Sequence, residues 1–202
     1  NIIDIDGNIY RSVRIGEQVW MAENLRTTKY SDGTAIPNVT NDSAWYILNT
    51  GGWCHYNNDN QYDSTYGKLY NWHAVETELL CPIGWHVPTD IEWYLLRFFL
   101  ESNGHSETAL KSTSGWSYHS FGNGTDDYGW NGLPGGSRGW YVSDVLDDDF
   151  WAMGESAQWW SSSLPSDPPP PWLRKASAFI LVIMDMELID KGDGLSVRCL
   201  RD

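Results

Sequence analysis

The stretch of the chain that most resembles a chemical site is CPIGWHVPTDIEW, at residues 81–93, which brings a Cys, a His and two acidic residues close together. Thr89 and Glu92 have the spacing of a capping box, in which the Thr hydroxyl and the Glu carboxylate bind backbone N–H groups at the start of a helix. His86 and Trp93 would then lie at a corner between a short strand and this helix. We therefore interpret the stretch as scaffold and not as a catalytic or metal-binding centre.

A second chemical pattern, at residues 135–139, has the letters G-x-S-x-G of a nucleophile elbow. Such an elbow needs a buried strand before the Ser and a helix after it. A Pro-Gly turn precedes Ser137, so a turn is the favoured interpretation. The five His residues lack the spacing of zinc ligands, and nothing places two carboxylates across a cleft for glycoside hydrolysis. We predict that the protein is not an enzyme, and an enzyme ranks third among the alternatives.

Three oxygen-rich loops are candidates for a bound Ca²⁺, which prefers carboxylate and carbonyl ligands. They contain Asp126-Asp127, the acidic run at 147–149, and the Asn- and Asp-rich residues 57–63. None of the three matches the EF-hand pattern. We predict a Ca²⁺ site at Asp126 and Asp127, with a solvated acidic loop as the alternative.

The aromatic residues are the candidates for ligand contact, because 13 Trp and 11 Tyr suit both cores and wet binding surfaces. The Trp residues predicted to belong to the core are Trp20, Trp72, Trp85 and Trp93. The Trp residues in polar loops are Trp53, Trp116, Trp130, Trp140, Trp151 and Trp172. We expect two or three of these six to contact a ligand, since Trp and Tyr dominate binding hot spots, and the rest to cover a small core.

The composition restricts the class of protein. The 202 residues suffice for one domain, predicted to span 1–202, with a single core. A net charge of −14 repels phosphate backbones, so nucleic-acid binding is not expected. No apolar run approaches the roughly 20 residues of a membrane span. No signal peptide is visible, and we expect that any targeting segment has been removed.

The elements that must position these residues are predicted from periodicity. Helical spacing predicts two helices, over 66–80 and 89–102. The apolar face predicted for the second helix consists of Ile91, Leu95, Phe98 and Phe99. Alternation of apolar and polar residues predicts a β-hairpin within 1–16 and a strand at 158–163.

The end of the chain combines strands with an extended segment. Residues 177–189 and 195–200 are predicted to form two strands of a hairpin, joined by the turn sequence DKGDG. The four consecutive Pro residues within 165–172 favour an extended conformation and exclude a helix or a central strand.

A series of motifs resembles one known family. In chain order they are DIDGNIYRSVRIGEQVWMAENLRTTKYSDG, YGKLYNWHAV, CPIGWHVPTDIEW, LPGGSR, WWSSS and LSVRCLRD. Together they resemble the Fibrobacter succinogenes major paralogous domain over nearly the whole chain. That family is similar in turn to the C-type-lectin-like fold of formylglycine-generating enzymes. The chain has no match to the paired catalytic Cys of those enzymes, so their activity is not carried over.

The resemblance implies an α+β domain of C-type-lectin-like fold, with two helices packed on a twisted antiparallel sheet and long Gly- and Asp-rich loops. It implies a secreted or outer-surface bacterial protein that binds a ligand without catalysis. In such folds the chain ends meet, which allows a Cys81–Cys199 disulfide worth about 4 kcal/mol in the chain-entropy model. The cysteine spacing alone leaves the pairing open.

Residues 165–190 depart from the family, because the family is usually polar where this segment carries Pro, Phe, Ile, Leu and Val. Either the segment is unusually buried or it forms an apolar recognition surface. Domains of this kind are also known as targets of diversity-generating retroelements, which replace Asn codons near the C-terminus, and the composition fits such a variable protein.

We predict a monomeric extracellular domain that binds carbohydrate, with recognition of a cell-surface protein by a retroelement-diversified surface as the alternative. The residues expected to contact the ligand are Trp140, Tyr141, Asp144, Trp151, Trp172 and Phe179. Asp and Asn residues at the rim would bind sugar hydroxyls.

Overall fold

The computed structural model describes residues 1–139, 149–163 and 175–202. Its fold is mixed α+β, with several small antiparallel sheets and few helices. In the described residues the α-helices are α1 (Asp42–Tyr46), α2 (Asp63–Tyr66), α3 (Trp72–Val75) and α4 (Asp90–Ser102). The strands are β1 (Ile2–Ile3), β2 (Ile9–Tyr10), β3 (Ser12–Ile15), β4 (Gln18–Met21), β5 (Trp53–Cys54), β6 (Leu69–Tyr70), β7 (Trp85–His86), β8 (Gly135–Arg138), β9 (Phe150–Met153), β10 (Gln158–Trp160), β11 (Lys175–Ile180), β12 (Asp185–Asp190) and β13 (Leu200–Arg201).

The strands form five antiparallel sheets. The largest has the order β3-β4-β13-β7, so the last strand of the chain lies between two early ones. A second has the order β10-β11-β12, and three two-stranded sheets pair β1 with β2, β5 with β6, and β8 with β9. The predicted N-terminal hairpin is present as the β1–β2 pair, in which Ile3 lies opposite Ile9.

Residues 194–196, which we call the bridging segment, connect several of these sheets. Gly194 forms a bridge with Arg138 at the end of β8, Leu195 with Tyr70 of β6, and Ser196 with Trp159 of β10. Three small sheets are thereby held side by side by three consecutive residues near the C-terminus.

Helix α4 confirms the predicted capping box. Thr89 Oγ1 accepts a hydrogen bond from the Glu92 N–H, and the Glu92 carboxylate accepts one from the Thr89 N–H at 2.8 Å. The predicted apolar face was wrong, however. The residues that α4 buries are Trp93, Leu96 and Leu100. Of the predicted face, Phe99 is partly buried against the core, whereas Ile91, Leu95 and Phe98 are exposed. Both faces are apolar, and the sequence did not show which one meets the sheet.

The helix predicted over 66–80 is also wrong. Gly67 ends α2 with φ of +76°, a value that favours glycine. Leu69 and Tyr70 then form β6, and α3 covers only four residues after the Asn71 side chain caps its first turn. Tertiary pairing with β5 and the bridging segment outweighs the local helical spacing.

The hairpin predicted between residues 177–189 and 195–200 is wrong in its second strand, because residues 195–200 contact β4, β6, β7 and β10 instead. Strands β11 and β12 pair along their whole length, from Lys175 opposite Asp190 to Ile180 opposite Asp185. The chain therefore reverses at residues 181–184, inside the predicted first strand. The usual turn signals are absent, because residues 181–184 include no Gly, Pro, Asn or Asp. Met184 nevertheless takes a positive φ of +47°, a value that usually favours glycine.

A cluster of aromatic rings fills the core between α4 and the sheets. Trp93 stacks on Phe179 with ring centroids 4.6 Å apart, and Trp20 lies 4.7 Å from Trp93 on the other side. Each of these large side chains contributes about 1.5–3 kcal/mol by burial. Phe179, expected to contact a ligand, is only 1% exposed and belongs to this core.

Cys81 and Cys199 form a disulfide in the structure, with Cα atoms 6.0 Å apart. Cys81 lies just before β7 and Cys199 just before β13, and these two strands are paired. The bridge therefore reinforces the same junction that the backbone hydrogen bonds hold. The third cysteine, Cys54, is buried as a free thiol, and burial raises its pKa to about 12.

Candidate functional site

One cleft, which we call the acidic cleft, combines charge, an exposed aromatic ring and a volume of about 290 Å³. Its lining residues are Asp42, Trp45, Tyr46, Arg138, Gly139, Asp149, Lys175, Asp190, Gly192 and Asp193. Four carboxylates against one guanidinium and one ammonium leave two net negative charges at the site. The lining comes from α1, the end of β8, the residue before β9, the first residue of β11, the last residue of β12 and the turn after β12.

Arg138 forms the floor of the acidic cleft. Its side chain is 1% exposed, and Nη2 lies 2.6 Å from Asp42 Oδ1, while Nη1 donates to the Val39 carbonyl at 2.7 Å. The guanidinium also lies over the Trp45 ring, 4.5 Å from its centroid. A buried guanidinium held by a carboxylate, a carbonyl and a ring is fixed in position, so it holds Asp42 and Trp45 in fixed places at the wall.

Helix α1 carries the aromatic wall. The Asn41 side chain accepts a hydrogen bond from the Ala44 N–H and so caps the helix. Trp45 is buried, and its Nε1 donates to the Gly192 carbonyl at 2.7 Å, which joins α1 to the turn after β12. Tyr46, the next residue, is 52% exposed. The buried Trp45 thereby anchors the helix that presents the Tyr46 ring at the cleft.

The opposite wall is the turn after β12. The Gly192 N–H donates to Asp190 Oδ1 at 2.9 Å, which closes the turn and fixes that carboxylate. A Cβ atom added to Gly139 would lie 2.9 Å from Asp193 Oδ1, closer than real Cβ contacts come. The glycine therefore allows the Asp193 carboxylate to approach the end of β8.

Residues next to the two segments that carry the predicted ligand contacts line this cleft. Gly139 and Asp149, which precede and follow residues 140–148, are joined by a hydrogen bond from the Gly139 N–H to the Asp149 carbonyl at 2.9 Å. Lys175, which follows segment 164–174, lines the cleft too. The predicted contacts Trp140, Tyr141, Asp144 and Trp172 themselves lie outside the described residues.

The other aromatic residues predicted to contact a ligand lie outside the acidic cleft. Trp151 is 39% exposed on β9, but its neighbour Phe150 packs 5.0 Å from the Arg138 guanidinium. Successive side chains of a strand point to opposite faces, so Trp151 faces away from the acidic cleft. Among the loop tryptophans, Trp53, Trp116 and Trp130 are buried, as most of these six were expected to be.

The predicted Ca²⁺ residues occupy a different region. Asp126 Oδ1 accepts a hydrogen bond from the Asn131 N–H at 2.7 Å, and Asp127 Oδ2 lies 3.4 Å from His105 Nδ1. Within the described ranges, no three His, Cys, Asp or Glu side chains converge in a way that could hold a metal ion. The Asp126 carboxylate closes the turn that leads to Asn131.

The two chemical patterns of the sequence have structural roles. Ser137, the Ser of the G-x-S-x-G pattern, is fully buried within β8, so the pattern is a strand instead of the predicted turn. His86 lies between Glu92, at 2.9 Å, and Asp202, at 2.7 Å. The hydrogen bond with Glu92 raises the pKa of His86 to about 9, with partial burial opposing the shift and Asp202 adding to it.

Sequence reasoning missed most of the acidic cleft. Its carboxylates stand at positions 42, 149, 190 and 193, and only the fold brings these positions together. Two sequence signals touch it. The acidic run at 147–149 was interpreted as an oxygen-rich loop, and its Asp149 lines the cleft. The other signal is DKGDG, at 190–194, where two Asp residues flank a Gly, and it was interpreted only as a connection between strands.

The chain matches the model of a known protein family. A family model described as the Fibrobacter succinogenes major domain matches residues 13–201 of the chain. No match was found among curated proteins or among solved structures. In the part of the chain that the structure describes, no helix has both the length and the apolar character that crossing a membrane requires.

Proposed function

The chain belongs to the Fibrobacter succinogenes major domain family, and from this premise we propose that it is a non-catalytic, C-type-lectin-like domain that binds carbohydrate in the acidic cleft. The observation that carries the proposal is the pairing of an exposed Tyr46 ring with fixed carboxylates around one cleft of about 290 Å³. A cavity near this size is at the lower limit of ligand sites, and it fits one or two sugar rings.

The chemistry of the lining suits a polyhydroxylated ligand. Carboxylates such as Asp190 accept hydrogen bonds and are fixed before the ligand arrives, which lowers the entropy cost of binding. The Tyr46 ring offers an apolar face against which the C–H face of a sugar packs. The net negative charge of the lining favours neutral or amino sugars over acidic ones.

We propose an extracellular or outer-surface location. The Cys81–Cys199 disulfide supports it, because such bridges persist in oxidising compartments. Ca²⁺ stays part of the proposal as an aid to binding, since oxygen-rich loops offer the carboxylate and carbonyl ligands that it prefers.

Recognition of a cell-surface protein by a retroelement-diversified segment 165–190 is the alternative. What favours it is that Lys175, which belongs to segment 165–190, lines the acidic cleft. What limits it is the burial of β11, whose residues Ala176 to Ile180 belong to the core. A diversified surface would therefore use residues 165–174 and the exposed part of β12.

The test is binding of the whole domain to a glycan array, followed by calorimetry with the best glycan, with and without Ca²⁺ and chelator. We expect dissociation constants of about 10 µM to 1 mM. The substitutions Tyr46→Ala and Asp190→Asn should each weaken binding by about tenfold or more, equivalent to about 1.4 kcal/mol. The matched control is Tyr118→Ala, because Tyr118 is 92% exposed and does not line the cleft.

Two results would count against carbohydrate binding in this cleft. One is the absence of any glycan signal at millimolar concentration, and the other is a signal that neither cleft substitution changes. If, in addition, replacement of residues 165–174 abolishes capture of a cell-surface protein, the alternative is the better account.

A further inference from the structure

Helix α4 carries an apolar surface that the core does not use. The side chains Ile91, Tyr94, Leu95 and Phe98 are 71%, 59%, 47% and 53% exposed. Their spacing of three, four and seven residues places them in one row along the helix. We call this row the α4 stripe. It lies opposite the row that α4 buries in the core, so the helix is apolar on two sides.

The α4 stripe continues onto the neighbouring sheet. Leu188 of β12 is directly opposite Ser177 of β11, and the Ser177 hydroxyl donates to Asp90 Oδ2 at 3.0 Å. Side chains of directly paired residues lie on the same face of a sheet. Leu188, which is 51% exposed, therefore lies beside the first turn of α4.

The size of this surface calls for a partner. A fully exposed large side chain presents about 200 Å². The exposed fractions of the four stripe residues and of Leu188 then amount to roughly 550 Å² of apolar area in one patch. That value is near the upper end of the largest patches on monomeric proteins, and patches of this size are often functional. A standard-size interface buries about 800 Å² per partner, and at the apolar share of about 65% that homodimer interfaces show this is roughly 520 Å² of apolar area.

We infer that the α4 stripe is the interface of a symmetric dimer, in which α4 packs antiparallel against α4 of a second copy. The sequence predicted a monomer, and the surface area is the argument against it. A two-fold axis between Tyr94 and Leu95 places Ile91 of one copy opposite Phe98 of the other, so that a smaller side chain meets a larger one. Such an isologous contact needs only one self-complementary patch.

The charges beside the stripe are engaged within the chain. Arg97 lies 2.8 Å from Glu101 Oε1 and 3.2 Å from Asp185 Oδ1. The Asp90 carboxylate accepts hydrogen bonds from the Ser161 and Ser177 hydroxyls. The contact between copies is therefore expected to depend on the apolar side chains. Two copies of a chain with a net charge of −14 repel each other overall. An apolar contact between such copies should therefore strengthen with added salt, which screens the repulsion.

The test is sedimentation velocity of the whole domain from about 1 µM to about 200 µM, a range that covers a contact of this modest size. We expect a concentration-dependent dimer whose dissociation constant decreases when NaCl rises from about 50 mM to about 500 mM. The double substitution Leu95→Asp with Phe98→Asp should weaken the dimer at least about tenfold. Both side chains are exposed, so circular dichroism should show an unchanged fold.

The control is Tyr118→Asp, which places a charge on an exposed aromatic residue outside α4 and should leave the dimer intact. A monomer at every concentration and salt level would overturn the inference. So would a dimer that the double substitution leaves intact, or one that Tyr118→Asp breaks equally, because either result would place the contact elsewhere.

Discussion

Removal of the disulfide is the perturbation whose magnitude follows most directly from the structure. Cys81 and Cys199 are 118 positions apart, and closing a loop of that length destabilises the unfolded state by about 4–5 kcal/mol through lost chain entropy. In a domain of 202 residues each kcal/mol shifts the melting temperature by about 2–4 °C. The double substitution Cys81→Ala with Cys199→Ala should therefore lower Tm by roughly 10–20 °C.

The assay combines scanning calorimetry with a count of reactive thiols in the denatured protein. The oxidised chain should expose one thiol, from Cys54, and the reduced chain three. Cys54→Ala serves as the control, because it leaves the bridge in place and removes the remaining thiol. If the protein is purified under oxidising conditions with three thiols, or if the double substitution lowers Tm by less than about 3 °C, the reasoning from loop length fails.

Two further predictions concern the partly buried His86 and the buried Arg198. The contribution of His86 to stability is fully present below its ordinary pKa of 6.5 and is lost as the pH rises through about 9. Burial opposes the ionisation of Glu92, but hydrogen bonds from His86 and Thr89 lower the pKa of this carboxyl to about 2. The contribution of Glu92 is therefore present above pH 4.5 and is lost as the pH falls towards 2. His86→Ala should flatten the decline in urea stability between pH 6.5 and 9, and an unchanged pH profile would contradict the role given to His86. Arg198 is fully buried and donates hydrogen bonds from Nε and Nη2 to Asn24 Oδ1. The substitution Arg198→Lys should lower the free energy of unfolding of the protein by about 2–3 kcal/mol, because a lysine cannot make this paired contact. A change below about 0.5 kcal/mol in urea unfolding would contradict this.

The sequence predicted the features that depend on nearby residues. The capping box of α4 needs only Thr89 and Glu92, three positions apart, and it is present. The family resemblance rests on motifs along the chain, and the matching family model covers residues 13–201. Local rules were sufficient in both cases because the informative residues are neighbours in sequence.

The rest depended on contacts between distant segments. The helix predicted over 66–80 failed because Leu69 and Tyr70 pair with β5, and Tyr70 forms a bridge with Leu195, far along the chain. The acidic cleft was missed because Asp42 and Asp190 become neighbours only through Arg138 and Trp45. Periodicity likewise identified an apolar face of α4 but could not show whether that face meets the core or another molecule.

The bridging segment has a consequence for the order of assembly. Gly194, Leu195 and Ser196 join three sheets, and β13 completes a fourth between β4 and β7. During synthesis the edges of β6, β8 and β10 cannot be bridged before residues 194–196 have emerged. Local hairpins and α4 can form earlier, and the docking of these three sheets is therefore a late step of folding.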